Sequence, residues 1–89
     1  MKAILTVIGH DRVGIVYRIA KHCSEQNINI LDINQTVMDQ FFTMVVLVDY
    51  TDAPADVAAL QDGFQSLASE LGLSIKFQSE EIFNAMYTV

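Results

Sequence analysis

The chain predicts an α+β fold: four strands and two helices in the order β-α-β-β-α-β, followed by a short terminal helix. Three observations point there. Apolar residues alternate or run together in four short segments. In two longer segments they recur at helical spacing. Glycine or Asp/Asn turns stand between the segments.

The first strand is "KAILTVI", residues 2–8, which is β-rich and stops at Gly9. Gly14 opens a helical period in which Val16, Ile19, Ala20 and Cys23 share one face and Arg18, Lys21 and Glu25 take the wet side. That helix should finish near Gln26-Asn27. In "INILDINQTVM" the alternation slips, with Ile28 and Ile30 in one phase and Leu31, Ile33 and Val37 in the other; a bulge or bend near Ile30-Leu31 reconciles them. Asp39-Gln40 turns the chain into "FFTMVVLVDY", apolar on both faces, as suits a central strand covered on both sides. Asp52 is a cap for the second helix, with Pro54 tolerated in its first turn. Val57, Leu60, Phe64, Leu67, Ala68 and Leu71 form its stripe, and Gly72 stops it. Leu73, Ile75 and Phe77 alternate with polar residues as a fourth strand. In the tail "SEEIFNAMYTV", acids precede Ile82, Phe83 and Met86 at helical spacing.

Two crossover helices must then lie on one face of a four-stranded antiparallel sheet, the ferredoxin-like plan. Residues 1–89 make a single domain, with 79–89 as a C-terminal helical extension. Apolar residues are 52% of the chain and mean hydropathy is +0.32, high for a domain this small. A second subunit is the natural cover for the other sheet face or its edge, so a homodimer is expected.

Composition also removes function classes. Net charge is −6 with only five basic residues, scattered from Lys2 to Lys76, which argues against nucleic acid. No apolar run approaches the ~20 residues of a membrane span. No leader pattern follows Lys2. Cys23 stands alone, so no intrachain disulfide is possible and a cytoplasmic setting is expected. Metal delivery on this plan needs a cysteine pair in the first loop, which is absent. RNA binding needs exposed aromatics beside basic residues, and Phe41 and Phe42 lack those partners, so both are expected in the core. His22 and Cys23, adjacent on a helix, point ~100° apart and make a poor catalytic dyad. No nucleophile, base and orienting group come together, so no catalysis, cofactor or metal is expected.

The stretch "VIGHDRVGIV" (Val7 to Val16) holds the candidate chemistry. Its glycines suit a plain turn, Asp11 a helix N-terminal acid and Arg12 a solvated charge. They also suit a cradle. Gly14 lets a ligand approach the backbone, free N–H groups of the first helical turn can receive a carboxylate, and Asp11 can face an ammonium. An α-amino acid carries both groups on one carbon.

"GHDRVGIV", the "NINILDI" segment and the strand order together resemble an ACT domain, over the whole chain. The tail "IFNAMYTV" is further similar to the small stand-alone bacterial ACT proteins grouped as UPF0237. The resemblance implies a regulatory module that binds a small amino acid or similar zwitterion and acts on a metabolic enzyme or regulator. It implies a ligand site at Asp11, Arg12, Val13, Gly14 and Ile15, completed by Asn29 of a neighbouring domain. The chain departs from the serine-binding members at Gly9, where they carry a histidine, and has Val13 where many members have proline, so serine itself is not implied. Two alternatives stay open: an acylphosphatase-like hydrolase using Arg12 as a phosphate clamp, though "GHDRVGI" does not match that family's loop, and a ligand-free dimerising adaptor.

Overall fold

In the computed structural model, residues 1–10 and 13–80 are described. Asp11, Arg12 and the expected helix beyond residue 80 lie outside the described residues. Strand β1 (Lys2–His10) leads to helix α1 (Ile15–Glu25), strands β2 (Asn29–Met38) and β3 (Phe41–Asp49), helix α2 (Val57–Leu71) and strand β4 (Ser74–Ser79). The sheet order is β2-β3-β1-β4 and every pair is antiparallel. The expected ferredoxin-like plan is therefore the observed one.

Alternation along the strands builds the core. Ala3, Leu5 and Val7 of β1, Phe42, Met44, Val46 and Val48 of β3, and Ile75 and Phe77 of β4 are all buried on one face. Onto that face α1 presents Ile15, Ile19 and Cys23, while α2 presents Leu60, Phe64, Leu67, Ala68 and Leu71. The α1 stripe thus runs through Ile15, with Val16 and Ala20 as flanks rather than its centre. Phe64 stacks on Phe77 with ring centroids 5.4 Å apart, and Tyr50 meets Phe77 edge-on. Each large side chain fully buried this way stabilises by about 1.5–3 kcal/mol.

The slip in β2 is a bulge. Ile30 pairs with Val48 and Ile33 with Val46, so Leu31 is the extra residue and both isoleucines keep to the helix-bearing side. Four expectations need correction. Asp56, not Asp52, caps α2: it has extended backbone and its carboxylate accepts from the Ala59 N–H at 2.9 Å. Pro54 therefore lies in the lead-in, three residues before the helix begins at Val57. The strand Phe41–Asp49 is central as expected, but covered on one face only among the described residues. Phe41 and Val45 stay exposed beside Ile8 and Met38, because both described helices pack on the opposite side. Phe42 is core, whereas Phe41 is half-exposed and stacks on His10 at 5.1 Å.

The two sheet edges differ. Along β4, the side-chain amides of Gln61 and Gln65 from α2 donate to the carbonyls of Phe77 (3.0 Å) and Ile75 (2.6 Å). Along β2, nearly every residue is exposed, and the backbone bond recorded away from β3 is Ile33 N–H to the Asp32 carboxylate.

Candidate functional site: the turn into helix α1

The turn forms where β1 ends against β3, with His10 opposite Phe41, and the chain must reverse to lay α1 over the sheet. Gly14 makes that reversal at φ 90°, ψ 1°, a left-handed conformation that L side chains rarely adopt. It is the N-cap of α1 and offers no side chain to cap it. The first helical bond recorded runs from the Arg18 N–H to the Gly14 carbonyl at 2.9 Å. The N–H groups of Ile15, Val16 and Tyr17 precede it, at the positive end of the helix dipole. A Cβ on Gly14 would meet nothing within 4 Å, so the approach to these donors is open among the described residues.

The predicted site residues divide. Val13 stands fully in solvent beside Gly14. Ile15 contributes only backbone, because its side chain is 2% exposed and belongs to the core. Asn29 is exposed at the far end of α1, which at about 1.5 Å per residue lies roughly 16 Å from Gly14. One chain therefore does not bring Asn29 to the turn. Instead Asn29 lines a groove of about 440 Å³ with Ser24, Asn27, Ile30 and Asp52.

Two contributors were not anticipated. Leu73, just after α2, fills the space where a side chain at position 9 would go: a Cβ on Gly9 would collide with Leu73 Cδ2. The wall beside the turn is thus aliphatic where serine-binding members are expected to carry a histidine. Asn27, held at φ 57°, turns the chain from α1 into β2 and shapes the groove around Asn29. An Asn just past a helix end was its local signal.

No cluster of three or more His, Cys, Asp or Glu side chains that could hold a metal occurs among the described residues. No helix there is long and apolar enough to cross a membrane. Burial pushes the Cys23 thiol up to about 11, which keeps it protonated and inert.

The ACT domain pattern matches residues 2–78. The chain belongs to the ACT domain family. It is 46% identical over 87 residues to a UPF0237 protein of Neisseria meningitidis serogroup A, covering 98% of this chain and 97% of that one. With a UPF0237 protein of Clostridium perfringens it shares 39% over 89 residues and the full length of both. Among solved structures, an ACT domain protein from Streptococcus pneumoniae superposes with a TM-score of 0.83 at 41% identity, covering 93% of each chain. The ligand-free regulatory subunit of aspartate kinase from Thermus thermophilus superposes at 0.68 with 19% identity, over 86% of this chain and 50% of that one, and shows the fold alone. The family is one of regulatory ligand-binding modules.

Proposed function

We propose that this ACT domain is a homodimeric, non-catalytic sensor of a small amino acid or similar zwitterion, acting on a metabolic enzyme or regulator. The observation that carries the proposal is the N-terminus of α1 behind Gly14, which no side chain caps and nothing approaches among the described residues. The ligand carboxylate meets the first-turn N–H groups, and Asp11 meets the ammonium. Val13, fully in solvent beside Gly14, borders the opening, and Arg12 belongs to the same proposed site by its place in the sequence. Leu73 beside Gly9 favours an aliphatic side chain over a hydroxyl.

Asn29 supports the dimer in this reading. The turn, His10, Phe41 and Met38 share one end of the sheet, while Asn29 and Asp49 share the other. Antiparallel pairing of two β2 strands about a twofold axis brings those opposite ends together. Asn29 of the partner subunit then reaches the turn. The exposed β2 edge is available for this; the amide-capped β4 edge is not.

A thermal-shift screen of the proteinogenic amino acids tests the sensor, with a ligand near 100 times its dissociation constant adding about 2.7 kcal/mol. An aliphatic amino acid that raises the melting temperature supports it. No shift with any amino acid defeats it in favour of a dimerising adaptor.

A further inference from the structure

Between the two helices, away from the turn, lies a cavity of about 220 Å³ lined by Arg18, Lys21, His22 and Glu25 of α1 and Gly63, Ser66 and Glu70 of α2, with Leu67 at its base. His22 is its unusual member. The ring lies 4.7 Å from the core ring of Phe64, tilted by 58°. Its Nε2 atom is buried and has no hydrogen-bond partner among the described residues. That edge points at the missing side chain of Gly63, whose Cβ would sit 3.3 Å from Nε2 and 3.5 Å from Cε1. Arg18 and Glu70 bridge the helices at 2.6 Å beside it, but both are well exposed, and such a pair contributes little.

A neutral imidazole can leave a bare ring nitrogen against a Gly Cα at modest cost. An imidazolium fits there less well, because Nε2 then carries a buried proton that no acceptor meets among the described residues and part of the ring is shielded from water. We propose that His22 is an acid-sensitive latch between α1 and α2: neutral, its ring closes the seam against Gly63 and Phe64; protonated, it must swing out, and the seam loosens. The charged groups around it do not cancel that effect. Arg18 and Lys21 oppose a third positive charge, Glu70 is engaged by Arg18, and the pull of Glu25 is weaker than the burial that holds His22 below the ordinary 6.5. For a base protonating less readily folded than unfolded, the seam's stability is complete above pH 6.5. It is lost as pH falls from there toward the folded midpoint. Because α1 also carries the Gly14 turn, a loosened seam reaches the proposed cradle, but the latch does not depend on that cradle.

The test follows the His22 ring by NMR in the full chain, together with amide exchange at Ile19, Cys23, Phe64 and Leu67 between pH 7 and 5.5. The ring should titrate with a midpoint below 6.5. After correction for intrinsic rates, exchange across the seam should quicken on acidification relative to the β1–β3 pairs, by tenfold for each pH unit separating the midpoint from 6.5. In His22→Leu that acid response should vanish. In Gly63→Ala the added methyl should push the ring toward water and raise its midpoint. A wild-type midpoint at or above 6.5, or an equal acid response in wild type and His22→Leu, overturns the latch. The wild-type titration decides the matter even if either variant fails to fold.

Discussion

Gly14 and Gly72 permit a controlled experiment on the turn. Both hold left-handed backbone, at φ 90° and φ 68°, and among the described residues a Cβ on either would meet nothing within 4 Å. An alanine at either position therefore acts through backbone strain alone, about 1–2 kcal/mol. For a domain of this size each kcal/mol lowers the melting temperature by about 4–8 °C, so Gly14→Ala and Gly72→Ala should each melt roughly 4–16 °C below wild type. In urea the midpoint should fall with no change in slope, since no surface is newly buried or exposed. The two then part company over ligand. Gly72 caps the far end of α2, so Gly72→Ala should keep the full amino-acid-dependent shift, on the order of ten degrees. Gly14→Val, whose branched side chain stands before the N–H groups of α1, should lose it. A Gly14→Ala chain that melts like wild type would show that nothing holds the positive φ. A Gly14→Val chain that folds and still shows the whole shift would remove the backbone cradle.

Ile33→Lys, on the exposed edge strand, should leave the monomer fold intact and turn the proposed dimer into a monomer by sedimentation; a dimer that forms equally in both chains places the interface elsewhere. Phe64→Ala empties a fully buried site between His22 and Phe77 and should cost about 3–5 kcal/mol in urea denaturation, so a loss below about 1 kcal/mol would contradict the packing described. Cys23 is an acid whose folded value is raised from 9.0 to about 11, so its share of stability is complete below pH 9 and lost as pH climbs toward 11. The melting curve of Cys23→Ala should lack that alkaline component, and identical slopes in both chains would refute it.

Local signals carried most of the architecture. The phase slip at Ile30-Leu31 marked the bulge, and Gly72 marked the end of α2, because each is decided by neighbours in sequence. The cap of α2 was not so marked: Asp52 precedes the apolar stripe and Pro54 suits the first turn of a helix it would begin, yet Asp56 stands three residues before the Ala59 amide it caps. The left-handed turn was legible at Gly14, whereas Ile15 gave no local sign that its side chain heads the buried α1 stripe. Leu73 over Gly9 and His22 against Gly63 were invisible, because each joins residues far apart in sequence and neither leaves a mark in its own neighbourhood. Asn29 shows a third case. Its distance from the turn follows from the length of α1, and the use proposed for it requires a second chain.

The glutamine amides along β4 bear on how such a chain behaves in a crowded solution. A four-stranded sheet with two bare edges is a monomer that can polymerise, each copy pairing on both sides. Here Gln61 and Gln65 occupy one margin, and a twofold pairing would consume the other in both copies at once. On the proposed pairing the unit is monovalent, and growth stops at two. Alanine at both glutamines would make it divalent, converting a self-terminating pair into a chain-growth monomer with no change in fold.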